Sequence, residues 1–515
     1  MATDYSLYLV TDSTPAILGD KDLPSVVEAA LQGGVTIVQY RDKSSDTADL
    51  IRMGERLHAI TKKHNVPLLI NDHVGVAQAI GAEGVHLGQD DMDLQTARRI
   101  LGPEAIIGVS ASNVFEAIEA ASGGANYLGI GTLYATPTKE NTKSIIGTAG
   151  LRDILQFISK PYHKLPTVAI GGLNDSNIQR VIFQSKSPNK GLDGIAVVSA
   201  IIAAADPEDA AAALRRLIDN VPPTLSPKAN ENQKVETLLS QIPSIVKKLV
   251  QANPLCHNMT NLVVQNFAAN VALSIGASPI MANYGEEAKD LARLGGALVI
   301  NMGTVTPEGL LNYTSAMRAY NEVGGPILFD PVGAGATEVR RRAVKTLMSN
   351  GYFNVIKGNE NEILTVLGES TGQQKGVDSG ASTSEEAEKV RLVKTLAARE
   401  RNVVLMTGKT DYLSDGDRTY TIQNGHAYLG RITGSGCTLG TTIAAFLAVH
   451  KEDRLLAALA GILMFEIAAE QAAARDDVKG PGTFVPAFLD QLYHISADAS
   501  EDNSGWLKAA KLRKL

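Results

Sequence analysis

The sequence predicts an α/β protein of two domains, the first a (β/α)8 barrel, and three observations carry that prediction. The chain has 515 residues, whereas a single hydrophobic core stops growing at roughly 250 to 300 residues. Residues 1–220 alternate eight short apolar runs with amphipathic stretches, the pattern of repeated βα units. Residues 221–234, rich in Pro, Asn and Ser and without apolar period, read as a linker to a second alternating half, 235–515.

The eight strands are expected in "YSLYLVTD", "VTIVQYRD", "VPLLIND", "GVHLGQ", "AIIGVSA", "YLGIGTL", "PTVAIGG" and "GIAVVSA". Between them, stretches such as "ADLIRMGERLHAITKKHN" put apolar residues at three- and four-residue spacings on one face, as helices laid on a sheet do. Eight parallel strands in little over 200 residues suggest a closed barrel; the alternative is an open doubly wound sheet. In the second half "ALVINMG", "PILFDPVG", "FNVIKGN" and "NVVLMTG" read as buried strands that end in polar or glycine residues. The small and polar stretch "GESTGQQKGVDSGASTSEE" reads as a surface loop, and the tail beyond Ser500 suggests no element.

Composition narrows the function. With 44% hydrophobic and 20% charged residues the chain is ordinary globular protein, and a net charge of −7 without a long Lys/Arg run offers nucleic acid or an anionic membrane no footprint. Small-molecule chemistry is the expectation. The start, "MATDYSLYLVTDS", lacks a basic region followed by an apolar stretch, and no window holds the roughly 18 to 20 uninterrupted apolar residues of a membrane span. Two cysteines far apart, Cys256 and Cys437, make a disulfide framework improbable, so a reducing, cytoplasmic setting is expected.

In a barrel, reactive side chains stand where strands end and βα loops begin. The second strand ends in "QYRDK", whose alternation sends Gln39, Arg41 and Lys43 to one side, a diphosphate clamp in the making. Asp72 after the third strand and Asp91 after the fourth supply hard oxygen ligands suited to Mg²⁺ bridging phosphates. Alone, each acid would be a turn or cap residue; beside a basic cluster, metal binding is the better reading. Thr136, Thr138 and Lys139 follow the sixth strand, Gly171 and Gly172 the seventh and Ser199 the eighth, as in a barrel phosphate site. One mouth thus carries two anion sites, for two phosphorylated substrates or one bisphosphate. No Ser/His/Asp set accompanies them, and His73 and His86 are as readily structural; departure of a metal-bound diphosphate needs neither.

Taken together, "QYRDK", "ND" at 71 and 72, "GQDD", "GVSA", "TPTK", "IGG" and "VVSA" resemble the thiamine phosphate synthases over residues 1 to about 220. The resemblance implies condensation of hydroxymethylpyrimidine diphosphate with thiazole phosphate, by departure of diphosphate while the pyrimidine's amino group spreads the positive charge. It implies pyrimidine diphosphate contacts from Gln39, Arg41, Lys43, Asn71, Ser110 and Lys139, and Mg²⁺ on Asp72 and Asp91. The thiazole phosphate would lie against Thr136, Thr138, Gly172, Val198 and Ser199.

The second half has "DPVGAGAT" after a buried strand, "KGNENEI" with Lys357 and Glu362, "TG" at 407 and 408, and "TGSGCTLG" leading into an apolar helix. That last turn fits neither the Walker nor the Rossmann pattern, yet its amides face an anion at a helix N-terminus. With "HNMTNLVVQNFAANVALSIGASPIMA", the set resembles hydroxyethylthiazole kinase, of the ribokinase-like α/β group, over residues 235 to about 495. The resemblance implies thiazole near Met281 and Gly434, ATP near Lys357 and Thr407, and Mg²⁺ near Asp330 and Glu362, with Asn261 beside them. Cys437 takes the general-base position, where related sugar-type kinases carry aspartate; helix N-termini lower a thiol's pKa from about 8.5, so proton uptake near neutral pH is expected. Met281 reads otherwise as core filler, and Cys256 with His257 as packing.

The halves resemble a fungal-type fusion in which the kinase product is the synthase's second substrate. The alternative is a thiazole kinase with a non-catalytic, phosphate-sensing barrel. By resemblance a homo-oligomer is expected, built on trimeric kinase contacts.

Overall fold

All eight expected runs of the first half are strands in the computed structural model: β1 (Leu7–Val10), β2 (Ile37–Tyr40), β3 (Leu68–Asn71), β4 (Gly84–Leu87), β5 (Ile106–Ala111), β6 (Tyr127–Ile130), β7 (Thr167–Ile170) and β8 (Gly194–Val197). The structure describes residues 3–515 except 135, 137–144, 176, 188, 221–233, 370–384 and 502, and the side chains of 149 and 349. Thr138, Lys139, the linker 221–233 and most of the expected surface loop lie outside the described residues. The chain divides into two compact units, Met1–Val221 and Pro222–Leu515.

In the first unit every neighbouring pair of strands is parallel and β8 returns to β1, so the sheet is a closed barrel and not an open one. The period-two alternation of the strands separates two cores. Leu7 and Leu9 face outward into the layer between sheet and helices, while Tyr8 and Val10 face inward with Ile37, Leu69 and Tyr127. Helices start where an Asp or Asn accepts a backbone N–H, as Asp22, Asp46, Asp93 and Asn113 do.

One interior glycine has a steric cause. A Cβ at Gly108 would fall 2.0 Å from the Tyr127 ring. Gly108→Ala therefore forces Tyr127 aside, and overpacking of this kind costs about 1 to 3 kcal/mol. We expect a lowered melting transition of the barrel unit and weakened synthase turnover, read by calorimetry and by product formation.

The second unit carries a nine-stranded sheet in the order β10-β9-β11-β12-β13-β14-β15-β16-β17. Its strands are β9 (Leu255–Met259), β10 (Ser278–Ile280), β11 (Ala297–Asn301), β12 (Ile327–Asp330), β13 (Val355–Asn359), β14 (Val403–Thr407), β15 (Asp411–Ser414), β16 (Thr419–Ile422) and β17 (Leu512–Lys514). Strands β9 to β14 pair in parallel and β15 to β17 antiparallel. The tail that suggested no element thus buries Trp506 and closes the sheet with β17. β9 escaped the apolar pattern because His257 and Asn258 interrupt it; the fold gives each a buried partner, His257 Nε2 bonding Ala282 O at 2.9 Å and Thr441 Oγ1 donating to Asn258 Oδ1 at 2.7 Å.

Among the described residues one helix, Arg454–Ala473, has the length and hydropathy of a membrane span, although Glu466 interrupts its apolar sequence. Of its most apolar window, 89% is buried inside the protein, where it packs against the helices Ser435–Val449 and Pro481–Ser500. It is the core helix of this unit.

Candidate active sites

Strand ends assemble the first site. A cavity of about 850 Å³ opens in the barrel unit, lined by Gln39, Arg41 and Lys43 from the end of β2 and by Asn71, Asp72 and Asp91 from the ends of β3 and β4. Ser110 and Thr136 line it too, and Gly172, Val198 and Ser199 stand after β7 and β8. Every described residue expected in this mouth is therefore in it.

The charges of the mouth pair with one another, which the sequence reading did not foresee. Arg41 Nη1 reaches Asp12 Oδ2 at 3.4 Å, and Lys43 forms an ion pair with Asp72. Burial opposes the charge of Asp72, but a hydrogen bond from Asp91 and the Lys43 ammonium hold its pKa below the ordinary value. Asp91 is pushed the other way, by burial and then by the hydrogen bond and negative charge of Asp72. The two carboxyls thus influence each other's charge, and a divalent cation between them would offset the negative charge of both. Mg²⁺ commonly takes one or two protein carboxylates and completes its shell with phosphate oxygens and water. That fits this pair, and among the described residues no group of three or more His, Cys, Asp or Glu offers a closed metal cage.

Beneath the charged rim lies a layer of hydrogen bonds that the sequence did not reveal. Gln39 Nε2 donates to Tyr8 Oη at 2.7 Å, and Tyr8 Oη is 2.7 Å from Tyr127 Oη. Tyr127 Oη meets His86 Nδ1 at 2.7 Å, and His86 Nε2 meets Ser110 Oγ at 2.9 Å. His86, ambiguous in the sequence, is thus a polar link in the cavity wall. Tyr8 and Tyr127 look like core aromatics in sequence, and only their inward register marks them.

The second site lies at the ends of β11 to β13 and the start of the helix Ser435–Val449. Lys357 Nζ donates to Asp330 Oδ2 at 3.1 Å and to Gly436 O at 2.8 Å. Asn301 Nδ2 donates to the same Asp330 oxygen at 2.9 Å, and Asn261 Nδ2 donates to Asn301 Oδ1 at 3.1 Å and to Cys437 Sγ at 3.5 Å. Asp330, Lys357 and Cys437 are therefore one cluster. Asn301 is a member the sequence reading missed, although it ends β11 as Asp330 ends β12.

Glu362 is held by Gly333 N and Asn359 N, each donating at 2.8 Å, within a capping box at the start of the helix Glu360–Leu367. Burial, then the nearby Asp330 charge, pushes it up to about 7. Asp330 is itself raised by burial, against the pull of Lys357, and its Oδ1 has no hydrogen-bond partner among the described residues. An orphaned carboxylate oxygen beside a second acid suits a divalent cation. Thr407 ends β14 opposite Asn359 of β13, its hydroxyl 3.4 Å from Gly358 O, and Met281 stands half-buried after β10 and not in the core.

Gly434 precedes the helix with φ 88°, and a Cβ there would fall 2.4 Å from Val264. Cys437 lies in the first helical turn, but its thiol departs from the expectation of a lowered pKa. Burial and then the Asp330 charge push it up to about 11, outweighing Lys357 and the hydrogen bonds of Asn301 and Asn261. A thiol that keeps its proton at neutral pH is a poor base in this state. Cys256 is buried at the core, as its packing role implied.

A family model of hydroxyethylthiazole kinase matches residues 246–498, and one of thiamine monophosphate synthase matches residues 7–201. The chain is 44% identical over 517 residues to a Schizosaccharomyces pombe protein named "Probable thiamine biosynthetic bifunctional enzyme", covering 99% of each. It is 39% identical to the "Thiamine biosynthetic bifunctional enzyme" of Saccharomyces cerevisiae, over 96% of this chain and 95% of that one. A solved hydroxyethylthiazole kinase from Pyrococcus horikoshii OT3 is 38% identical, spanning 54% of this chain and 99% of its own, with a TM-score of 0.47.

Proposed function

This chain belongs to the family of thiamine biosynthetic bifunctional enzymes, and from that premise we propose how its two sites divide the work. The barrel unit joins hydroxymethylpyrimidine diphosphate to thiazole phosphate, giving thiamine phosphate and diphosphate. The second unit transfers the γ-phosphate of ATP to the hydroxyethylthiazole alcohol, making the phosphate that the barrel consumes. The observation that carries the reading is the gathering, in one cavity, of Arg41 and Lys43 with Asp72 and Asp91, together with the turns after β7 and β8.

In the barrel, Arg41 and Lys43 bind the diphosphate, and Gln39, Asn71 and Ser110 hold the pyrimidine end. Gly172, Val198, Ser199, Thr136 and Thr138 take the thiazole phosphate, and Lys139 joins the diphosphate contacts. Catalysis is leaving-group stabilisation by groups fixed before the reaction. In the kinase unit Lys357 and Thr407 bind ATP, Gly434 and Met281 hold the thiazole, and the first-turn amides face the moving phosphate. Mg²⁺, when held by Asp72 with Asp91 and by Asp330 with Glu362, offsets phosphate charge in the two sites. Both cysteines are free, which supports a reducing, cytoplasmic setting. Exposed Leu262 and Val263, next to Asn261 in the chain, and exposed Leu273 support a homo-oligomer.

The test is purified protein with thiazole alcohol, ATP, Mg²⁺ and pyrimidine diphosphate, following ADP and thiamine phosphate separately. Cys437→Ala is expected to slow ADP formation about ten- to hundredfold, at or below the lower end of general-base contributions, because the thiol keeps its proton. Thiamine phosphate formed from supplied thiazole phosphate should be unchanged, and equal loss of both activities sinks the division of labour. Because burial holds the thiol protonated, Cys437→Asp is expected to keep or raise the kinase rate at neutral pH.

A further inference from the structure

The hydrogen bonds beneath the synthase cavity have a direction, and that direction selects a substrate. Tyr8 and Tyr127 are sealed from solvent, at 1% and 0% exposure. Burial raises both phenols well above their ordinary pKa, so both keep an O–H to donate. Among the described residues the Tyr8 hydroxyl has two side-chain partners, Gln39 and Tyr127. Since Gln39 Nε2 donates to it, its own proton must go to Tyr127 or stay buried without an acceptor, which is unfavourable.

The satisfied arrangement then runs one way. Tyr8 donates to Tyr127, Tyr127 donates to His86 Nδ1, and His86 carries its proton on Nε2 and donates to Ser110 Oγ. At one end the Gln39 amide, its N–H turned to Tyr8, leaves its carbonyl for the cavity as an acceptor. At the other, Ser110 Oγ accepts from His86 and has its own proton for the cavity.

We propose that Tyr8 and Tyr127 are specificity-determining positioning residues of the synthase, holding an acceptor at Gln39 and a donor at Ser110 so that the cavity selects a 4-aminopyrimidine over a 4-oxopyrimidine. An aminopyrimidine edge offers an N–H donor beside a ring-nitrogen acceptor and matches this pattern. A 4-oxo ring offers a carbonyl acceptor beside a ring N–H and opposes it. To accommodate the oxo ring the protein must flip the Gln39 amide, turn two buried hydroxyls and move the His86 proton to Nδ1, all together. The carbonyl at Gln39 also faces the amino group on which positive charge develops as diphosphate departs. The inference rests on the barrel's reading as a thiamine phosphate synthase.

The experiment measures binding by calorimetry, in the whole enzyme with Mg²⁺ and without thiazole phosphate. The ligands are the hydroxymethyl-4-aminopyrimidine diphosphate, its 4-oxo analogue and inorganic diphosphate. Wild type is expected to prefer the amino ligand by about a hundredfold or more, as sites built to pair a polar group do. In Tyr127→Phe and in Tyr8→Phe the preference is expected to fall at least about tenfold, with diphosphate affinity unchanged. An undiminished preference in both variants overturns the relay, and so does a parallel loss of diphosphate affinity, which would mean a damaged cavity. If wild type forms no thiamine phosphate from supplied substrates, the synthase reading itself falls, and this inference with it.

Discussion

Lys357→Met is expected to abolish the kinase, lowering ADP formation by a factor of about 10³ or more, while thiamine phosphate synthesis from supplied thiazole phosphate continues. The side chains of Lys357 and Asp330 are 4% and 1% exposed, so the ammonium is the counter-charge of a carboxylate with almost no access to water. Removing one partner of a buried pair costs about 3 to 5 kcal/mol, because the other charge is left uncompensated. What remains for Asp330 is the Asn301 amide. The pH dependence has a definite sign. Without Lys357 only the Asn301 hydrogen bond opposes the burial that already raises Asp330, so its folded pKa climbs further above the unfolded value. Stability contributed by the protonated form is complete below the unfolded pKa and is lost as pH rises through the folded one. The variant's second unit should therefore recover part of its melting temperature in mild acid. Adding Asp330→Asn should restore stability at neutral pH and leave the kinase dead. A Lys357→Met protein with normal ADP formation would refute the assignment of this cluster.

Asp72→Asn is expected to have the opposite partition. Synthase kcat/KM should fall by about 10² to 10³, the usual loss when one preorganised electrostatic contact is removed. The Mg²⁺ concentration for half-maximal rate should rise, and kinase activity should be untouched. The substitution keeps the shape of the side chain and removes the charge that Lys43 pairs with and that helps to raise Asp91. The ionisation of Asp91 should accordingly return toward the ordinary carboxylate range, visible by NMR titration of the metal-free protein. Unchanged Mg²⁺ dependence in Asp72→Asn would show that this acid does not hold the metal.

The barrel was legible because strands buried on both faces must be almost wholly apolar, which makes each a continuous run such as "SLYLV" or "TIVQY". Its site was legible because polar residues concentrate at one end of those runs. The same logic found β11 to β14 and Asp330, and it would have found Asn301 had strand ends been compared along the sheet. It missed β9, whose buried His257 and Asn258 look like loop residues until their partners are known, and β15 to β17, where the antiparallel strands are short and mixed in polarity.

The order of apolar runs and strand-end motifs, by itself, determined the two-unit plan, the repeated βα units and the family resemblance, and it pointed to most of the candidate residues of both sites. Those properties depend on period and spacing, which a linear sequence records. Pairing of β8 with β1 decided that the barrel closes, and only the tertiary structure decided the state of the groups. Cys437 sits at a helix start, which favours a thiolate, yet burial and Asp330 hold it protonated. Tyr8 and Tyr127, separated by 119 residues, become one hydrogen-bonded pair when the barrel closes. Ionisation and hydrogen-bond direction depend on what surrounds a group in three dimensions, and desolvation and partner placement exist only once the chain has folded.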